Sequence, residues 1–190
     1  MPRKYTIFAL VSVVVVTLDQ LTKWWVRTHL ELWRDSVDVI PGFFELVHYQ
    51  NTGAAFGVMQ DDPDAMTKFA VFTLVALTIM LVMVWRLPKE ESFVAGIMGL
   101  IMGGAVGNAI DRAVFAAVTD FLRFYTDAEA ASVWLRENFG SAEWPSFNIA
   151  DSAIVVGIIV FFVQQIVMGR REKDADLDDE ELPSLEDVPE

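Results

Sequence analysis

Cysteine is absent from the 190-residue chain, which excludes a disulfide, a thiolate nucleophile and a lipid attached to a cysteine of the chain itself. Histidine is nearly absent. His29 and His48 are the only two, too few for a histidine-rich zinc site and a poor basis for a Ser-His-Asp triad. Any chemistry therefore falls to carboxylates and amines. Basic residues are also scarce, 14 against 27 acids for a formal net charge of −13. That imbalance is local, because Asp174 to Glu190 holds nine carboxylates and no basic residue. With few large apolar side chains, this stretch cannot offset its ordering entropy and is expected to be a disordered, solvating tail rather than a docking element. No nucleic-acid partner is expected.

Apolar side chains are plentiful: 54% of residues are hydrophobic and the mean hydropathy is +0.39, which points to a bilayer as solvent. Four runs, Tyr5 to Val26, Met66 to Leu87, Phe93 to Val118 and Phe147 to Met168, are each long enough to cross a hydrocarbon core at about 1.5 Å per residue. The first follows Arg3 and Lys4 like a secretory signal, but it is too long and lacks a small-residue cleavage site, so a retained span is expected. Arg3, Lys4, Arg86, Lys89, Arg170, Arg171 and Lys173 flank the spans in a pattern that puts both termini in the cytoplasm. The connections 27–65 and 119–146 then lie outside, with Trp24, Trp25, Trp33 and Trp144 near that boundary. The fold class expected is an α-helical polytopic membrane protein, with a membrane domain over 1–169 and the acidic tail over 170–190. Val37 to Ile40 and Phe43 to Tyr49, separated by Pro41-Gly42, have the composition of a small extramembrane sheet. Asp127 to Asn138 has helical composition and is expected along the membrane surface with Trp134 and Leu135 inward.

Charged side chains within a span cost several kcal/mol unless they face a polar cavity or each other, and here they share one depth. Asp19 and Lys23 lie four residues apart on one face of the first span. Asn108, Asp111 and Arg112 lie at i, i+3 and i+4 on the third, with Asp120 two turns further on if that helix continues. Asn148 and Asp151 open the fourth. Gly99, Gly103 and Gly107 form a stripe of structural residues that lets another helix approach the third span. Asp111 beside Arg112, and Asp19 beside Lys23, have cationic neighbours and suit structural pairs. Asp120 and Asp151, near loop-like backbone at the outer boundary, are the best pair for sharing a proton and activating water. Residue physics alone leaves three readings open: polar glue between helices, an aspartic dyad, and an ion- or proton-coupled carrier.

The segments LDQLTK (18–23), QNTGAAFG (50–57), GNAIDR (107–112), VTDF (118–121) and FNIADS (147–152) resemble, in order, the signature blocks of bacterial lipoprotein signal peptidases, the signal peptidase II family. The resemblance implies catalytic aspartates at Asp120 and Asp151. It implies a supporting or substrate-holding role for Asp19, Lys23, Asn51, Asn108, Arg112 and Asn148. It further implies an intramembrane aspartic endopeptidase of the bacterial cytoplasmic membrane, active near the outer leaflet among membrane lipids. Such an enzyme removes signal peptides from prolipoproteins on the amino side of a diacylglyceryl-modified cysteine, without metal or cofactor, and is inhibited by globomycin. It also implies a β-cradle formed by the Asp35 to Gly57 region. The Thr126 to Trp144 segment looks longer than the family's usual connection, and the acidic tail is atypical.

Overall fold

The computed structural model describes residues 2–53 and 64–181. Its elements, in chain order, are α1 (Arg3–His29), β1 (Ser36–Ile40), β2 (Phe44–Asn51), α2 (Ala65–Arg86), α3 (Ser92–Phe115), β3 (Val118–Phe124), α4 (Glu129–Phe139) and α5 (Ile149–Glu181). Four of the helices are long and apolar enough to span a bilayer, in the places that the hydrophobic runs predict. Their outward faces carry Leu10, Val13, Phe72, Leu74 and Phe162, all more than 60% exposed, as lipid-facing side chains are.

The centre is α3. Over half of its most apolar stretch is buried (56%), against 11% for α1 and 6% for each of α2 and α5. The expected glycine stripe explains this. A Cβ at Gly99 would stand 2.8 Å from the Phe8 carbonyl oxygen, one at Gly103 would stand 2.6 Å from Val15 Cβ, and one at Gly107 would stand 2.6 Å from an Asp19 oxygen. Contacts ascend along both chains, so α1 and α3 run parallel. Gly104 meets Ala150 and Ile154 while Gly157 meets Ile101, so α5 runs antiparallel to α3. At the opposite end from the polar groups, Val84, Val94 and Met98 form a core cluster. There the buried Lys4 ammonium donates to the carbonyls of Val84 (2.9 Å), Trp85 (3.1 Å) and Leu87, the unsatisfied acceptors at the end of α2.

The three strands form one antiparallel sheet in the order β1-β2-β3. β1 and β2 match the strand-like segments, and the turn between them carries Gly42 at φ 75°. Phe44 pairs with Phe124 and Asn51 with Val118, with an irregularity between Leu46 and Tyr49. Val26 and Leu30 of α1 pack with Phe121 of β3, and Leu46, Leu122 and Ile149 close around them. This apolar joint seats the sheet on one end of the bundle.

The structure corrects several expectations. The third helix stops at Phe115, and Ala116 adopts a left-handed conformation (φ 58°, ψ 12°), so Asp120 is not on the Arg112 helix face but on a strand. The fourth helix begins at Ile149, two residues later than its hydrophobic run. α4 forms as expected and ends at Gly140 in a left-handed cap, with Trp134 56% exposed and Leu135 partly buried. α5 continues to Glu181, so helix replaces disorder over 174–181. Extending an existing helix fixes one residue per added hydrogen bond and avoids the nucleation cost. Residues 182–190 of the tail, and Ala54 to Gly57 of the second signature block, lie outside the described residues.

Candidate active site

Ion pairing organises the deeper layer of the polar cluster. Lys23, fully buried, sits 2.9 Å from Asp19 and 3.4 Å from Asp111, so the expected Asp19–Lys23 pair is present. Asp111, by contrast, does not pair with its neighbour Arg112. Its cations are Lys23 and Arg27 of α1 (3.4 Å each), because the parallel α1 presents Asp19, Lys23 and Arg27 at four-residue intervals along the face that meets α3. Asp19 and Asp111 also accept backbone N–H groups, from Ala150 (3.0 Å) and Thr119 (2.9 Å) respectively. Asp19 thereby satisfies one of the free donors in the first turn of α5, and Asp111 fixes the start of β3. Arg27 reinforces that start through Thr119 Oγ1 (3.0 Å), and Gln20 bridges Asp19, Asp111 and the Gly107 carbonyl.

Above this layer lie Asp120 and Asp151, whose hydrogen-bond partners are mostly amides. Asn148 precedes α5 and forms a reciprocal cap with Asp151. Asp151 N–H donates to Asn148 Oδ1 (3.0 Å), and Asn148 N–H donates to Asp151 Oδ2 (3.2 Å). With its oxygen so engaged, Asn148 turns its NH₂ to Asp120 Oδ1 (2.8 Å). Asn108 follows the same logic: its oxygen accepts from Lys23 (2.9 Å), so its NH₂ donates to Asp151 Oδ1 (2.7 Å). Asn51 accepts from Gly53 N–H (3.0 Å) and donates to Asp120 Oδ2 (3.2 Å). Backbone bonds between Leu122 and Phe147 (2.8 and 3.1 Å) hold the approach to α5 against β3, which brings Asn148 to Asp120.

Asp120, only 4% exposed, has its carboxyl pushed up to about 7 by burial and then by the facing Asp151, against the opposing hydrogen bonds of Asn51 and Asn148. A carboxyl that keeps its proton near neutral pH beside a second carboxylate can serve as a general acid while the other activates water. Arg112 stands to one side, within electrostatic reach of both. Its Nη2 donates to the Gly53 carbonyl (3.3 Å), and its guanidinium lies 4.5 Å from the centroid of Phe69.

The structure thus gathers Asp19, Lys23, Asn51, Asn108, Asp111, Arg112, Asp120, Asn148 and Asp151 at one end of the bundle. Gln20, Arg27 and Thr119 join them without having been singled out in the sequence. Arg27 could have been found by extending the Asp19–Lys23 spacing by four. Thr119 carried no such signal, because its role depends on a strand where a connection was expected.

Comparison with known proteins shows the family. A family model described as signal peptidase (SPase) II matches residues 11–167. A lipoprotein signal peptidase of Maridesulfovibrio salexigens is 40% identical over 162 residues, 84% of this chain and 95% of that protein. One of Bacillus pumilus is 34% identical over 168 residues, 88% of this chain and 97% of the relative. A bacterial membrane enzyme solved by the in meso method at 2.3 Å superposes with a TM-score of 0.69 at 30% identity, covering 84% of this chain and 87% of its own.

Proposed function

The chain belongs to the signal peptidase II family, and on that premise we propose that it removes signal peptides from prolipoproteins on the amino side of a diacylglyceryl-modified cysteine. Asp120 and Asp151 act as its aspartic dyad. One carboxylate takes a proton from water, whose oxygen attacks the scissile carbonyl carbon. The other, protonated, donates to the carbonyl oxygen. Collapse of the tetrahedral intermediate breaks the C–N bond, and a proton passes to the departing cysteine nitrogen. Asn51, Asn108 and Asn148 hold the two carboxyl groups, and Arg112 supplies positive charge near the developing oxyanion.

The observation that carries this reading is Asn148, which donates to Asp120 while its oxygen and N–H are both spent on Asp151. One residue thereby couples two carboxyl groups that come from different elements. Asp19 and Asp111 are matched by cations, which suits structural ion pairs better than proton exchange. We further place both termini in the cytoplasm and the dyad near the outer leaflet of the bacterial cytoplasmic membrane, in keeping with the basic residues beside the spans.

The test is cleavage of a diacylglyceryl-modified prolipoprotein by purified protein in detergent, with and without globomycin. Asp120→Asn and Asp151→Asn should each lower kcat by at least about 10²–10⁴-fold while the protein stays folded, and globomycin should block the wild type. Normal processing by either variant would remove the dyad assignment. An inactive but folded wild type would return weight to a carrier or an assembly protein.

A further inference from the structure

Between α2 and α3 lies a cavity of about 290 Å³ that the dyad chemistry does not use. Met66, Phe69, Thr73 and Leu77 of α2 form one wall, and Ala109, Arg112 and Ala113 of α3 form the other. Its origin lies in side-chain size. Near the far end of α2, Val84 packs against Val94 and Met98 and the last carbonyls are gripped by Lys4. Along the N-terminal half of α2, the opposing face of α3 offers two alanine methyls, so the large side chains of α2 have little to interdigitate with and a slot remains. The slot is apolar except for Thr73 and Arg112. The Arg112 Nε is buried without a hydrogen-bond partner among the described residues, a donor left for something else to satisfy.

The lining selects the occupant: apolar side chains along the slot suit methylenes, and its one charged group, Arg112, can donate to an ester oxygen. Arg112 lines the slot with its guanidinium over the ring of Phe69, within electrostatic reach of Asp120 and Asp151. A chain lying there has its polar end beside the proposed scissile bond. We propose that the slot between α2 and α3 holds one acyl chain of the substrate's diacylglyceryl group, with Arg112 donating to its ester end. The assignment rests on the prolipoprotein reading. It makes this slot the feature that reads lipid modification. A phospholipid chain shares the chemistry, but only the substrate's lipid is tethered next to the dyad through the reaction.

Two measurements test it. In Asp120→Asn protein, a diacylglyceryl lipopeptide carrying a diazirine in its acyl chains should crosslink to α2 between Met66 and Leu77. Adding Thr73→Trp should reduce that yield at least tenfold, and unlabelled lipopeptide should displace a phospholipid bearing the same diazirine from the slot. In otherwise wild-type protein, Thr73→Trp should lower the preference for long-chain over short-chain diacylglyceryl substrates, as a ratio of kcat/KM, by at least about tenfold, the worth of two or so buried methylenes. Crosslinks falling on outward residues such as Leu10 or Phe162, a phospholipid that the lipopeptide does not displace, or an unchanged chain-length preference would each overturn it. Binding is read without turnover. Absent cleavage by the wild type therefore sinks the peptidase reading, whereas crosslinks outside the slot sink this one alone.

Discussion

An asparagine side chain is a donor on one side and an acceptor on the other, so its orientation matters as much as its position. Asn51, Asn108 and Asn148 each spend the oxygen on a neighbour, namely Gly53 N–H, Lys23 and Asp151 N–H, and present the NH₂ to an aspartate. Those donors favour the ionised form, yet burial and the facing Asp151 outweigh them at Asp120, whose carboxyl titrates near 7. The folded state therefore holds a proton that the unfolded chain, with an ordinary carboxyl near 3.9, releases. Stability falls as pH rises from about 4 to about 7 and then levels off. Asp120→Asn removes this liability. Its thermal stability in detergent relative to wild type should rise across that window and plateau above it, with a ceiling of about 4 kcal/mol. A difference that stays flat, or shrinks with pH, would contradict the assignment. At this scale the sequence was partly legible: the Asp19–Lys23 spacing gives the observed pair without coordinates, and Asp120 and Asp151, the dyad proposed above, were singled out there as well. The partner of Asp111 did need them, since a sequential neighbour such as Arg112 points to another part of the helix surface while Arg27 arrives from a parallel helix.

At the scale of elements, the four spans and the first two strands follow from hydropathy and composition. β3 does not, because no proline or glycine separates it from α3, and the chain leaves the helix through an alanine in the left-handed region. That single turn moves Asp120 off the helix and onto the sheet edge that faces Asn148. The glycine stripe is legible as spacing, but not the division of labour within it. Gly99, Gly103 and Gly107 admit α1, whereas Gly104 admits α5, and a Cβ there would stand 2.3 Å from the Ala150 carbonyl oxygen. Gly104→Val should push away the first turn of α5, which carries Asp151. We expect a loss of about 1–3 kcal/mol in stability and at least a tenfold fall in cleavage. Gly169→Ala, whose added Cβ meets nothing within 4 Å among the described residues, serves as control and should match the wild type. Equal behaviour of the two variants would mean that α5 is not positioned through this contact.

For the whole molecule, the parallel course of α1 and α3 and the antiparallel course of α5 bring all the polar groups to one end, which the order of basic residues already suggested. The proposed sidedness is open to a direct check, since the chain has no cysteine of its own. An impermeant maleimide on intact cells should label Trp144→Cys, at an exposed position, and spare Lys89→Cys until the membrane is opened. The reverse pattern would invert the topology. The bolted first helix has a further consequence, for biosynthesis. Asp19 and Lys23 neutralise each other within α1, so that helix can enter lipid with its charges already matched. Asp111 finds its cations on α1, a helix made earlier and therefore waiting when α3 is synthesised. The order in which the charges are translated is thus the order in which the bilayer can accept them.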